Sequence, residues 1–359
     1  MRDFSPFRLA LFAAIVWLLN AATARAAEQT VALAGQKVTV WSDAAGGTAK
    51  QPVIIFSHGF HGCATQSRFL MEAFASVGYI VFAPDHRDAA CNGGEASWLS
   101  APALRFRQPR QWDQTTYRDR AEDIRNLIEA IRADDRFRNR VDWSRLGLAG
   151  HSLGGYTVLG LAGAWPEWKL AGVRAVLALS PYSQPFLSHG TLANLSAPVM
   201  YQGGTRDFGI TPSLDKPMGT YDQSPAPKYF VEFDQAGHFA WTNFPSSAHQ
   251  DIAVYALAFM NHYVKGEPAD PVLTRALPDV VQFRYASEIG SSATLGGARS
   301  TIELPRFRAP VSRRARLLLD QSQPHPAVEL ARCVEVQTGV LRADGHVSEC
   351  DLERARIIN

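Results

Sequence analysis

The stretch Gly150-His151-Ser152-Leu153-Gly154-Gly155 constrains this chain more than any other. It contains G-x-S-x-G, with an apolar strand candidate ahead of it (Arg145 to Ala149) and a small, apolar, helically spaced segment behind it (Tyr156 to Ala164). Strand, tight turn and helix is the context a nucleophile elbow requires. Such a turn holds its serine in a strained backbone conformation, so the neighbours must be small, and Gly150, Gly154 and Gly155 supply that. The serine hydroxyl then stands at the carboxyl end of a sheet, facing the N-terminus of the next helix, which favours developing negative charge. The bland alternative is a glycine-rich turn with an incidental serine, so the rest of the chain must supply partners.

The surrounding pattern alternates buried strands with helices. Pro52–Ser57 is a continuous apolar run, as expected for a strand covered on both faces, and Tyr79–Ala83, Val173–Leu179, Pro198–Gln202 and Lys228–Phe233 repeat it. Val38–Trp41 reads as an early edge strand, and Lys228–Phe233 as the last strand of the series. Helical spacing covers Arg68–Val77, ended by Gly78, then Tyr117–Ala133, with Ile124, Leu127, Ile128 and Ile131 on one stripe, and Ala248–Tyr263. Arg87–Asp113 and Ser183–Ser196 read as loops, the first a wall over the site. The pattern predicts an α/β fold with a mostly parallel sheet, whose ligands bind at the carboxyl ends of the strands. Four chemically loaded turns fall there: His58–Gly62, Ser152, Asp207 and His238.

The N-terminus carries Arg2 and Arg8, an apolar run from Leu9 to Leu19, and Ala24-Arg25-Ala26. Residues 1–26 read as a signal peptide cleaved after Ala26, which places the mature protein in the periplasm or outside the cell; an uncleaved anchor is the alternative, but the run is short of the ~20 residues a span needs. Export turns the 4 cysteines into disulfide candidates. Cys63 and Cys91 follow successive core strands, so their loops emerge at one sheet end, while Cys333 and Cys350 make a second candidate pair. A formal net charge of +2 predicts no nucleic-acid partner.

Ser57-His58-Gly59-Phe60, Gly150–Gly155, Thr205-Arg206-Asp207 and Ala236-Gly237-His238-Phe239 together resemble the α/β-hydrolase superfamily. Within it the chain is similar to exported serine esterases related to dienelactone hydrolases, platelet-activating-factor acetylhydrolases and bacterial polyester hydrolases. The resemblance covers Ala27 to Tyr285. It departs from dienelactone hydrolases proper, which use a cysteine where Ser152 stands. The resemblance implies the α/β-hydrolase fold over residues 27–289 and the order Ser…Asp…His. A serine hydroxyl is a poor nucleophile without a base; His238 fits that role, and Asp207 would hold the imidazole in its working tautomer. Asp85, which also follows a strand, is the rival acid, with Asp222 and Asp234 behind it. Backbone N–H groups should stabilise the oxyanion: Leu153, directly after the nucleophile, and Phe60, as the resemblance implies. His151 reads as a structural elbow residue.

Phe239 and Trp241 flank a catalytic turn and read as pocket residues, with core packing as the alternative for any aromatic. His58, His61 and His86 do not form a compact ligand motif, so no metal and no cofactor is assigned. The expected substrate is a small-molecule or polymeric ester, cleaved through an acyl-enzyme. A non-catalytic binding protein on the same fold, or cleavage of a thioester or amide, are the alternatives. Residues 290–359 read as a linker and C-terminal extension; its arginines from Arg299 to Arg316 read first as a solvated face, with an unidentified acidic partner or anionic membrane surface as the alternative.

Overall fold

The computed structural model describes residues 26–43, 49–92 and 106–287. The segment read as a leader, apart from Ala26, lies outside the described residues, as do Cys333, Cys350 and the extension from 290 onward.

Among the described residues, nine strands form one sheet in the order β1-β2-β4-β3-β5-β6-β7-β8-β9. They are β1 (Ala26–Leu33), β2 (Gln36–Asp43), β3 (Gln51–Ser57), β4 (Ile80–Pro84), β5 (Val141–His151), β6 (Val173–Leu179), β7 (Val199–Gly204), β8 (Lys228–Phe233) and β9 (Val280–Ala286). From β4 through β8 every pairing is parallel, while β1, β2 and β9 add antiparallel margins. This is the α/β-hydrolase architecture. The main helices are α1 (Arg68–Ser76), α2 (Arg118–Ala133), α3 (Leu153–Leu159) and α4 (Gln184–His189), then the short α5 (Thr211–Asp215) and α6 (Thr220–Gln223), and α7 (His249–Met260).

The apolar runs behave as strands covered on both faces must. In β3, Val53 and Ile55 enter one core with Ile124, Leu127, Ile128 and Ile131 of α2, while Ile54 and Phe56 enter the other with Leu70 and Phe74 of α1 and Tyr255 and Phe259 of α7. The period of two along the strand sends alternate side chains to opposite layers, so a continuous apolar run is the only pattern that buries both. Gly78 closes α1 at φ 92°, the left-handed geometry glycine adopts without penalty.

Three expectations are corrected. Val38–Trp41 is not an edge: β1 pairs outside it over its whole length, and β1 is largely exposed, so it lacks the apolar run that marked the others. Lys228–Phe233 is not the last strand, because β9 pairs antiparallel to it; its alternation of Val281, Phe283 and Tyr285 with Gln282 and Arg284 was the available signal. Ser183–Ser196 is not a plain loop, since α4 begins with a proline at its first turn and buries Phe186.

Cys63 and Cys91 form a disulfide across a sequence separation of 28. It ties the loop after β3 to the loop after β4, both at the end of the sheet that carries the site. Closing a loop of that length is worth about 3–4 kcal/mol on the chain-entropy account. Cys63→Ala/Cys91→Ala is therefore expected to lower the urea unfolding free energy by that amount, with a steeper denaturant slope because the unlinked denatured chain is more open, as read by circular dichroism.

Candidate active site

Ser152 sits at the β5–α3 junction with φ 55°. Its N–H donates to the Leu179 carbonyl at 3.0 Å, and its carbonyl accepts from Tyr182 and Tyr156 at 3.0 and 3.1 Å. Neighbouring β6 and the chain leaving it thus pin a conformation that an L-residue otherwise avoids. Gly154 is obligatory for a different reason: a Cβ there would collide with the Ser57 and His58 carbonyls. The helix that follows the serine is packed directly on the loop that follows β3.

The turns after β7 and β8 are joined to each other. Thr205 N–H donates to Phe233 O and Arg206 N–H to Ala236 O, at 3.1 and 3.0 Å. A Cβ at Gly204 would overlap Ala236. Asp207 and His238, 31 residues apart in sequence, therefore lie side by side. His238 Nε2 is 3.0 Å from Ser152 Oγ, and its Nδ1 is 3.2 Å from Asp207 Oδ1 and 2.8 Å from Ser180 Oγ. Ser180 Oγ also bonds Asp207 Oδ2. The Asp207 side chain is buried and that of His238 is 29% exposed, so the imidazole can reach a ligand while the carboxylate cannot.

The other acids are occupied elsewhere. Asp85 accepts from the Ala64 N–H at 2.7 Å and faces Lys37; Asp222 pairs with Arg284; Asp234 accepts from Gln235 in its own turn and from Thr205 in the turn after β7.

His151 is a tie rather than a second base. The Gly59 N–H donates to Gln66 Oε1 at 3.1 Å, so the Gln66 amide N–H faces His151 Nδ1 at 3.0 Å. Nδ1 must then accept, and His151 Nε2–H donates to the His238 carbonyl at 2.8 Å. That tautomer needs a neutral ring, and burial, followed by the repulsion of His238, pushes its pKa down to about 3. One imidazole thereby links the loop after β3 to the histidine turn.

Under the His58–Phe60 loop lies a buried polar network that sequence reasoning missed. Arg120 of α2, fully buried, donates to the His58 and Gly59 carbonyls at 2.7 and 3.1 Å and forks onto Asp88. Beside it, Ser57 Oγ bonds His86 Nε2 at 2.9 Å and His86 Nδ1 bonds Asp123 at 3.0 Å. This second Ser-His-Asp row has no opening to solvent: Ser57 and His86 are completely buried. Burial, then the positive charge of Arg120, holds His86 well below the ordinary imidazole range, so its contact with Asp123 is a hydrogen bond more than an ion pair. Burial alone would raise the Asp88 carboxyl, but the Arg120 guanidinium holds it well below the carboxylate range. The available signal was periodicity, since Arg120 falls four residues before Ile124, on the apolar stripe of α2.

A cavity of about 710 Å³ opens over Ser152 and His238, walled by Phe60, Phe106, Tyr182, Ile210 and Phe239. Phe106 belongs to the segment expected to form a wall, and the Tyr182 hydroxyl donates to its carbonyl at 2.6 Å. Phe239 is 53% exposed at the rim. Trp241, expected beside it, is fully buried and donates from Nε1 to Gln202 Oε1 at 2.9 Å, so it packs behind the site instead of lining it. The Leu153 N–H lies in the first turn of α3, where no intrahelical acceptor exists, and a Cβ added at Gly59, next to Phe60, would meet His151 Nδ1 and Ser152 Cβ at 3.1 and 3.4 Å.

A profile of the PET hydrolase-like family matches residues 23–270, more than half of the chain. The chain belongs to that family. It is also similar to curated cutinases: 28% identical over 214 residues to cutinase est2 of Thermobifida alba, 27% over 213 residues to cutinase est1 of the same organism, and 25% over 218 residues to a cutinase of Thermobifida fusca. These matches cover 59–60% of this chain and 59–60% of those relatives' own length. The PET hydrolase-like match covers the described sheet from β1 through the strand that carries the histidine turn, and ends before β9.

Two outcomes follow from the buried network. Arg120→Met leaves the Asp88 carboxylate without its partner and should cost about 3–5 kcal/mol in urea unfolding. Asp123 has its carboxyl pushed up to about 6, by burial first. A carboxyl raised in the folded state stabilises below the ordinary carboxylate value near 3.9 and loses that contribution as pH rises through about 6. Asp123→Asn removes the dependence, so its stability relative to the parent should improve between about pH 4 and pH 7, measured as the difference in urea midpoints.

Proposed function

We propose that the protein is an exported serine hydrolase that cleaves carboxylic esters through an acyl-enzyme, with Ser152 as nucleophile, His238 as base and Asp207 as the acid behind it. The observation that carries this is the row of contacts Ser152 Oγ to His238 Nε2 at 3.0 Å and His238 Nδ1 to Asp207 at 3.2 Å, opening into an apolar-walled cavity. Membership of the PET hydrolase-like family and similarity to proteins named cutinases support the ester as the bond cleaved. Export rests on the leader read at residues 1–26; among the described residues no helix is long and apolar enough to cross a membrane.

In this reaction Ser152 Oγ attacks the ester carbonyl carbon while its proton passes to His238 Nε2. The Phe60 and Leu153 N–H groups receive the charge on the carbonyl oxygen, where fixed donors in a partly dry site are worth most. The tetrahedral intermediate collapses, the C–O bond to the alcohol breaks, and His238 gives its proton to the departing oxygen. Water then repeats the attack on the acyl-enzyme with His238 again taking the proton, which returns Ser152 and releases the acid. Asp207 stabilises the imidazolium formed in both halves. Phe239 and Phe244, both exposed at the mouth, suit an apolar acyl chain or the surface of a polyester.

The test is hydrolysis of p-nitrophenyl esters of increasing acyl length, and of a polyester film, by the parent and by Ser152→Ala. Activity in the parent, with a fall of roughly four orders of magnitude or more in the variant, is expected. Fluorophosphonate should label the parent and not the variant. Equal hydrolysis by both proteins would overturn the assignment of the nucleophile.

A further inference from the structure

Ser180 is the polar side chain at the site to which neither the chain order nor the ester chemistry assigns a task. It follows β6 directly, its side chain is fully buried, and it has φ 41°, the left-handed region that a non-glycine residue enters only when its surroundings hold it there. Its N–H donates to the Gln202 carbonyl at 2.8 Å, which fixes the backbone against β7. Its hydroxyl touches Asp207 Oδ2 and lies 2.8 Å from His238 Nδ1, closer than either carboxylate oxygen, at 3.2 and 3.4 Å.

Proton counting leaves one consistent arrangement. An ionised carboxylate only accepts, so the Ser180 hydroxyl donates its single proton to Asp207. The same oxygen must then accept from His238, which places a proton on Nδ1 and leaves Nε2 as the lone pair facing Ser152. We propose that Ser180 is a positioning residue, a hydroxyl inserted between the acid and the base that fixes the tautomer and ring orientation of His238 and passes the pull of Asp207 to it. This rests on the assignment of Ser152, His238 and Asp207 above. Ser180 acts through His238 and does not reach the cavity over Ser152.

The imidazolium is a stronger donor than the neutral ring, so the Ser180 oxygen favours the charged form that appears in both transition states. Losing it should lower kcat and leave substrate binding alone. The titratable groups facing His238 are Asp207 from the turn after β7 and His151 from the elbow, and His151 stays neutral, so a change in the acid limb of the rate profile reports the Ser180–Asp207 side.

The experiment compares full-length parent, Ser180→Ala, Ser180→Cys and Ser152→Ala on one soluble p-nitrophenyl ester, with thermal melts of each. Ser180→Ala should lose about tenfold to a hundredfold in kcat with KM within about twofold. Its acid limb of kcat/KM should move to lower pH by roughly half a unit to one unit. Ser180→Cys, which keeps the size but bonds weakly, should show the same loss. A Ser180→Ala protein that melts lower yet keeps kcat and the acid limb of the parent would overturn the proposal and leave the hydroxyl a folding role only, as would a failure of both Ser180 variants to fold. Retained activity in Ser152→Ala would instead sink the triad assignment itself, whatever Ser180 does.

Discussion

The backbone of Ser152 is the constraint on which the site depends. A left-handed residue between a strand and a helix turns the chain so sharply that α3 must lie against the ends of β3 and β6. That approach is closed by Gly154 against the Ser57 and His58 carbonyls and by the Ser152 hydrogen bonds to Leu179, Tyr156 and Tyr182. The strain is held because three separate segments over-determine it. The consequence is geometric: the Ser152 side chain, the first N–H groups of a helix and the loop after β3 meet within a few ångströms.

Around that point the fold supplies two polar supports of different character. Beneath the His58–Phe60 loop, Arg120 pairs its charge with Asp88 and directs its remaining donors to two backbone carbonyls. A buried guanidinium is costly unless its partners are complete, so the loop cannot shift without stranding a charge. On the other side, Ser180, Asp207 and His238 form a compact cluster in which Ser180 Oγ lies nearer His238 Nδ1 than either Asp207 oxygen does. Gln66 and His151 join the two sides, from the Gly59 N–H to the His238 carbonyl. The loop after β3 and the turn that carries His238 are thus mechanically connected through one neutral imidazole.

The cavity has an apolar wall on the Phe60, Phe106 and Tyr182 side and an aromatic rim at Phe239 and Phe244. Ser152 and His238 lie at its floor, and Gln66, Gln184, Thr242 and Asn243 add polar groups to its lining. A site of this kind gains binding energy from apolar area and assigns the chemistry to a few fixed groups, which suits an ester whose flanking groups carry little charge.

Much of this was legible in order along the chain. Doubly buried strands announce themselves as unbroken apolar runs, and the glycines around Ser152 mark the turn, because each is a local requirement of backbone geometry or of a strand's two faces. The margins were less legible: β1 is mostly exposed and β9 only half-buried, so neither shows a run of apolar residues. Contacts between distant segments could not be read at all. Ser180 is 27 residues from Asp207 and 58 from His238, and nothing local in Ser180-Pro181-Tyr182 distinguishes it from a turn serine. Trp241 looked like its neighbour Phe239, yet one faces the core and the other the rim. By itself the sequence determined the layering, the elbow and the chemical types at the strand ends. Only the tertiary structure decided which acid meets which histidine, and which polar groups are sealed beneath the site, because those choices depend on how strand ends converge in space and not on spacing along the chain.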